Sequence, residues 1–215
     1  VQAQIETTAE AKGADRKTGI TLNVRAFSDE GGSGHGLSCA CHLSGFDPLD
    51  ASRAAAEYAA EASNPAPWDE GVYDVILTPT VAADIIQHIG VASSAFLVEA
   101  GVSFLADKLK DRVAVESLTL RDLGCVKDGL GSRSFDDEGM PTKENQIVEN
   151  GVLRQYLHNT TTAAKFKMKS TGNAGVIEPH PWNLVVDEGR YTWDEMVQEV
   201  KRGVLVTNNW YTRFQ

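Results

Sequence analysis

Long apolar runs are missing from this sequence. No stretch of about 18 apolar residues occurs, so no membrane-spanning helix is expected. Cysteine is sparse: Cys39, Cys41 and Cys125 are the three in 215 residues. An odd, thinly spread set does not describe a disulfide framework and suits a reducing compartment. The first 17 residues are polar, with no apolar h-region of a secretory signal among them. The expected location is therefore cytoplasmic. Basic residues are outnumbered: 20 Lys and Arg face 30 Asp and Glu, a formal net charge of -10. Such a surface repels phosphate backbones, so direct nucleic-acid binding is disfavoured. Internal repeats and low-complexity tracts are also missing, which excludes solenoids and arrays.

What is present suffices for a core. Hydrophobic residues make up 42% and charged residues 23%, ordinary values for a folded chain long enough for one large domain or two small ones. Residues 1–18 are polar and expected to be frayed. From Ile20 to Phe27 apolar and polar residues alternate, a half-buried strand. A Gly-rich turn cluster fills residues 28–34, and residues 35–43 read as the antiparallel partner. Asp50 or Ser52 can cap an Ala-rich helix that runs to Ala62. Asn64-Pro65-Ala66-Pro67-Trp68 is rigid and extended. It divides an N-terminal part, residues 1–68, from a C-terminal part, residues 69–215.

In the second part, residues 73–77 read as a strand. A helix follows with Val81, Ile85, Ile89 and Ala92 on one stripe. A further helix is expected over residues 103–110, with Phe104, Leu105 and Leu109 inward, then a strand over 113–120 and a loop over 122–139. Asn150-Gly151, between residues 146–149 and 152–157, demands a type I′ hairpin, because both positions need positive φ. A helix over 160–168, a loop over 170–175 and a strand over 182–186 come next. Thr192 and Glu195 match a capping box, opening a helix that ends at Gly203 before a strand over 204–207. Helices alternating with mostly antiparallel strands make an α+β pattern.

Several residue groups invite a chemical reading. Cys39-Ala40-Cys41-His42 holds metal-ligating types, but on a strand the two cysteines share a face and His42 points away. A closed zinc site needs four ligands, usually as separated pairs, and there is no second pair. Cys125 has no base beside it in sequence, and a nucleophile needs one. His158 and His180 are isolated. Asp84 and His88 stand four apart on one helix face, a weak two-ligand pair. Asp136-Asp137-Glu138-Gly139 brings three carboxylates together between Phe135 and Pro141. It reads either as a solvated acidic turn or as a loop beside a substrate groove.

Taken in order, the segments resemble a known family. They are Gly71-Val-Tyr-Asp-Val-Ile-Leu-Thr-Pro79, Gly101-Val-Ser-Phe-Leu-Ala-Asp-Lys-Leu109, Phe135-Asp-Asp-Glu-Gly-Met-Pro141 and Ile147-Val-Glu-Asn-Gly-Val-Leu-Arg-Gln-Tyr-Leu157. Ser170-Thr-Gly-Asn-Ala174, Asn183-Leu-Val-Val186 and Asn208-Asn-Trp-Tyr-Thr212 continue the series. Their order and spacing over residues 71–215 resemble the TldD/PmbA family, once described as modulators of DNA gyrase. Residues 19–70 fit its preceding part more loosely. Full members are longer at both ends, so the chain, which starts at Val1, looks like the middle of one.

The resemblance implies an α+β fold of the TldD/PmbA kind and a peptidase built from related subunits. In the active TldD type, the helix after the strand matching residues 73–77 bears His-Glu-x-x-x-His. Its histidines bind zinc and its Glu serves the zinc-bound water as a base. A further Cys ligand of active members would fall beyond Gln215. Laid on this sequence, the motif falls on Gln87, His88 and Ala92, which cannot form it. The resemblance therefore implies the PmbA type, also called TldE: a non-catalytic subunit with no metal or cofactor of its own. The zinc is expected in a TldD-like catalytic partner, and a peptide as substrate. Self-association is a further expected contact. Two alternatives stay open. One is a self-sufficient metal-dependent hydrolase built on Asp84, His88 and the 136–138 carboxylates. The other is a gyrase-interacting regulator.

Overall fold

The computed structural model describes residues 2–6 and 12–209. Its strands and helices, in chain order, begin with β1 (Gln2–Glu6), β2 (Lys12–Arg16), β3 (Ile20–Phe27), β4 (Ser33–Ala40), α1 (Pro48–Glu61), β5 (Asp74–Leu77), α2 (Pro79–Ala92) and α3 (Ala95–Glu99). They continue with β6 (Leu120–Leu123), β7 (Glu144–Glu149), β8 (Val152–Leu153), α4 (Thr160–Phe166), β9 (Leu184–Val186), α5 (Trp193–Glu199) and β10 (Gly203–Val206). The α+β expectation holds: among the described residues every sheet is antiparallel except the parallel pair β5–β10. Among the described residues, no helix is long and apolar enough to cross a membrane.

The chain forms two compact units, one of Val1–Thr18 with Ile86–Gly189, the other of Gly19–Ile85 with Arg190–Gln215. The first holds a four-stranded sheet in the order β8-β7-β6-β9. Its core gathers Ala92, Ala95, Leu105, Leu120, Ile147, Val148, Leu153, Tyr156 and Leu157. Each fully buried Leu or Ile in it contributes about 1.5–3 kcal/mol by leaving water. The Asn150-Gly151 hairpin joins β7 to β8 with φ of 48° and 77°, the positive values that a type I′ turn requires.

Three expectations fail in this unit. Residues 103–110 form turns instead of a helix: Asp107 and Lys110 take positive φ of 59° and 74°, which interrupts any helical run. Ser103 instead donates from its hydroxyl to Ala92 O at 2.6 Å and accepts from Leu105 N, so that Leu105 alone of the expected inward trio is buried. Residues 113–119 do not form a strand. The Val113 and Ala114 amides both donate to Gly151 O, and Gly151 N donates to Leu118 O, so this segment wraps the hairpin tip and regular pairing begins only at Leu120. The N-terminal residues expected to fray contain β1 and β2, paired antiparallel from Gln2↔Arg16 to Glu6↔Lys12. Gly13 of β2 sits against the ring of Phe135, and Asp15 accepts from the Ser134 amide at 2.6 Å. Long-range contacts thus hold a segment whose local sequence is too polar to announce a strand.

In the second unit, β3 and β4 pair from Ile20↔Ala40 to Phe27↔Ser33, and α1 covers one face. The cap of α1 is Asp47, whose carboxylate accepts from Leu49 N and Asp50 N, with Pro48 in the first turn. The helix therefore starts ahead of Asp50 and Ser52, because Pro is pre-set for a first turn that needs no amide donor. Ala51, Ala55 and Ala59 of α1 are buried. The Gly-rich run assigned to a turn continues into β4, where Gly34 and Gly36 lie under that helix. In the same unit β5 pairs with β10 in register Asp74↔Gly203 to Leu77↔Val206. The capping box of α5 is formed: Thr192 and Glu195 bond each other's backbone amides reciprocally. That helix ends at Glu199 because the chain must extend again for β10 at Gly203. Trp210, Tyr211 and Thr212, the end of the last resembling segment, lie outside the described residues.

Candidate functional site

Helix α2 carries the three positions at which the sequence resemblance puts a metal motif. Gln87 is exposed, His88 is half-buried and Ala92 is buried in the core of the first unit. Five helical residues advance about 140° beyond a full turn, which accounts for Gln87 and Ala92 facing different surroundings. The helix end is tightly packed: a Cβ on Gly90 would lie 2.4 Å from Leu184 Cδ1. Of the three side chains, the His88 imidazole alone is a good zinc donor, since the Ala92 methyl has no lone pair and an amide such as that of Gln87 binds zinc poorly. Asp84, on the preceding turn, accepts a hydrogen bond from the Asn209 amide nitrogen. Among the described residues, no group of three or more His, Cys, Asp and Glu side chains could hold a metal ion. Cys39, Cys41 and Cys125 are not joined in disulfides.

The acidic run 136–138 has three different environments. Asp136 is fully buried, and one of its carboxylate oxygens accepts from Glu138 N at 3.0 Å and Met140 N at 2.9 Å. The other accepts from Ala174 N at 2.9 Å. Asp137 pairs with Arg133 at 3.0 Å near the surface. Glu138 reaches Thr160 at the start of α4, accepting from its amide at 2.8 Å and its hydroxyl at 2.9 Å. Gly139 turns the loop with φ 78°. The loop is therefore tied to the 170–183 segment and to α4, a rigid mounting for whatever its outer surface meets.

Beside it lies a buried polar network that sequence reasoning did not find. Asp122 of β6 is fully buried and accepts from Asn173 Nδ2 at 2.6 Å, Trp182 N at 2.6 Å and Asn183 N at 3.0 Å. Burial pushes its carboxyl above the usual carboxylate range, while the bonds from Asn173, Trp182 and Asn183 pull it back. The Asn173 side-chain oxygen in turn accepts from Asn145 Nδ2 at 2.9 Å, and Asn145 also donates to Thr171 O. Asn183 accepts from Gly131 N and donates to Leu123 O. Trp182 donates from its indole to Gly172 O, with the Arg133 guanidinium 4.3 Å from its ring centroid. Asp122, Asn145, Asn173 and the adjacent pair Trp182 and Asn183 come from separate segments, so no local spacing announced them. A buried carboxylate bonded by donors on every side, which a buried charge requires, sets the shape of this face.

The sheet pair of the second unit offers a different feature. A cleft of about 480 Å³ runs along β5, lined by residues 74–77 with Tyr191, Met196 and Glu199. Val75 on the strand and Tyr191 beside it are both more than half exposed.

Comparison with known proteins places this geometry. Residues 70–215 match the family model described as the PmbA/TldA metallopeptidase C-terminal domain. A metalloprotease of Methanothermobacter thermautotrophicus is 30% identical over 205 residues, covering 90% of this chain and 45% of that protein. The metalloprotease PmbA of Escherichia coli O157:H7 is 32% identical over 133 residues, 62% of this chain and 29% of that protein. A metalloprotease TldD homolog of Buchnera aphidicola is 32% identical over 114 residues, 50% and 24% of the two chains. Among solved structures, a Thermotoga maritima protein named as a modulator of a DNA gyrase superposes with a TM-score of 0.88 at 30% identity, over 96% of this chain and 49% of that one. TldE from Thermococcus kodakarensis shares the fold, with a TM-score of 0.73 at 22% identity over 87% and 44%. The chain spans less than half the length of each of these relatives. With the family model covering residues 70–215 and the structure superposing on its members, the chain belongs to the PmbA/TldD metallopeptidase family.

Proposed function

We propose that this chain acts as a non-catalytic, PmbA/TldE-type subunit that partners a TldD-type zinc peptidase working on peptides in the cytoplasm. The observation that carries the reading is the content of α2. Where the family's metal motif would stand, Gln87 is exposed, Ala92 is a core methyl and only His88 has a good donor atom. These residues do not fit a zinc ion, so no hydrolytic step is routed through them. The catalytic metal then belongs to the partner, and this chain contributes shape to the substrate path. Names among its relatives support a two-component system, since both PmbA and TldD types are similar to it. The division into residues 1–68, the end of an N-terminal domain, and 69–215, a C-terminal-type domain, is part of this proposal. A family match that begins at residue 70 supports it.

Two surfaces are candidates for the peptide. The rigid 136–139 loop offers a groove wall. The β5 edge with its cleft offers backbone pairing, the way an extended peptide joins a sheet as an added strand.

The test is metal analysis with peptidase assays. The purified chain should bind no stoichiometric zinc and show no peptidase activity alone, while a TldD-type relative with an intact His-Glu-x-x-x-His should be more active when it is added. One zinc per chain, or turnover that chelators abolish in the absence of a partner, would overturn the proposal.

A further inference from the structure

A second groove lies in the first unit, between the start of β7 and the 167–171 segment. It has a volume of about 390 Å³, and Lys143, Lys167 and Lys169 line it together with Tyr156, His158 and Met168. Three lysines in one groove stand out on a chain with a net charge of -10. No Asp or Glu is among the residues that line it.

The fold holds these lysines together. Lys143, just before β7, donates from Nζ to Ser170 O at 3.0 Å, which draws the start of that strand to the 167–171 segment. An ammonium carries three donors, so this bond leaves others for a ligand. Lys167 closes α4 in the left-handed region, with φ 55° and ψ 38°, a position usually filled by Gly or Asn. Its amide and that of Met168 donate back to Ala164 and Ala163. The chain thereby leaves the helix abruptly and sets Lys167 and Lys169 on either side of Met168.

The floor is preformed. Tyr156 and His158 are buried, with the Tyr156 hydroxyl fixed on Leu105 O at 2.7 Å and His158 N on the Thr171 hydroxyl at 2.8 Å. The ammonium groups provide charge at the rim, and the half-exposed Met168 provides an apolar contact. A rigid floor lowers the ordering cost of binding.

We infer that this groove binds a carboxylate of an extended peptide, either an acidic side chain or a free C-terminus. The inference rests on the peptide reading above and deepens it. On a chain of net negative charge, acidic peptides are repelled almost everywhere, so a cationic groove would select where they dock and in what register.

The experiment uses the full chain at low salt and four forms of one neutral hexapeptide: with or without a single Glu, each with a free or an amidated C-terminus. Calorimetry measures affinity, and a carbodiimide, which joins carboxylates to amines, maps contact by mass spectrometry. The carboxylate-bearing forms should bind roughly tenfold more tightly than the Glu-free amide, the size expected from a few semi-exposed ion pairs acting together. Cross-links should concentrate on Lys143, Lys167 and Lys169. The Glu amide and the Glu-free acid identify which carboxylate source is preferred, and either supports the inference. The advantage should vanish in Lys143→Gln/Lys167→Gln/Lys169→Gln and persist in Lys108→Gln/Lys127→Gln/Lys201→Gln.

Equal binding of all four peptides would sink the groove and leave the peptide reading standing. Cross-links spread over exposed lysines of the unmodified chain would do the same, without relying on any variant. No binding of any peptide, together with no effect on a TldD-type partner's activity, would remove the peptide reading and this inference with it.

Discussion

Gly36 of β4 lies directly beneath the Ala51 carbonyl of α1: a Cβ on Gly36 would sit 1.8 Å from that oxygen. Gly34 meets the Ala55 carbonyl at 2.0 Å in the same way, and Gly32 meets the Ala59 carbonyl at 2.1 Å. The helix thus lies on glycine backbone with Ala51, Ala55 and Ala59 facing it. Backbone atoms cannot swing aside as a side-chain tip can, so a methyl group must push the helix away. Gly36→Ala and Gly34→Ala should each destabilise α1 by about 2–3 kcal/mol, the upper range for overpacking. Hydrogen exchange of the α1 amides would show it as faster opening. Gly189→Ala is the control, because nothing lies within 4 Å of its added Cβ. Unchanged exchange in Gly36→Ala would refute the close packing.

Features written in consecutive residues could be read without a structure. Asn150-Gly151 required positive φ twice and has it, and Thr192 with Glu195 closes its capping box. Helix α2 followed from its apolar stripe. Where the reading failed, the deciding contact was distant. Gly34 looks like a turn residue until α1 is laid over it and over Gly36. The β1–β2 pair depends on Phe135 and Ser134, over a hundred positions along the chain. Of the candidate site, the residue identities on α2 were legible, because they required only a comparison of types. The roles within 136–138 were not, since three adjacent carboxylates look alike until Ala174, Arg133 and Thr160 are found opposite them.

Asp122 should tolerate no neutral isostere. Its oxygens face three N–H donors, from Asn173, Trp182 and Asn183. Asp122→Asn turns an NH₂ toward at least one of them and leaves a buried donor unpaired, which costs about 1–3 kcal/mol for each group left unsatisfied. Urea denaturation followed by far-UV circular dichroism would measure the loss. A midpoint equal to that of the unmodified chain would mean that the network can rearrange around the amide.

His158 makes the first unit sensitive to acid. Burial holds its imidazole below the ordinary value of 6.5, beside the Thr162 hydroxyl and edge-on to Phe166. The folded state thus favours the neutral ring more than the unfolded state does. The contribution is fully present above pH 6.5 and is lost as pH falls through the lowered folded-state value, because the unfolded chain takes up the proton first. Stability measured at pH 7.5 and at pH 5 should fall more for the unmodified chain than for His158→Gln. Titration of the ring protons by NMR should give a midpoint below 6.5, and a midpoint above it would contradict the burial argument.

The acidic run offers the sharpest contrast, since chemically matched substitutions at neighbouring positions should differ widely. Asp136 is fully buried and accepts from three backbone amides. Asp136→Asn must present its NH₂ to at least one of those amides, at about 1–3 kcal/mol per unsatisfied donor. Asp137→Asn removes only a partly exposed pair with Arg133, worth about 0–1 kcal/mol and screened by salt. Glu138→Gln keeps an acceptor for the Thr160 amide but loses the negative charge beside the first turn of α4, and it should fall between the two. Three denaturation curves in low and high salt settle the order, with the Asp137 and Glu138 differences shrinking as salt rises and the Asp136 difference holding. If Asp137→Asn proved as damaging as Asp136→Asn, its carboxylate would have to hold more than Arg133, and the outer face of the loop would become the first place to look for a bound peptide.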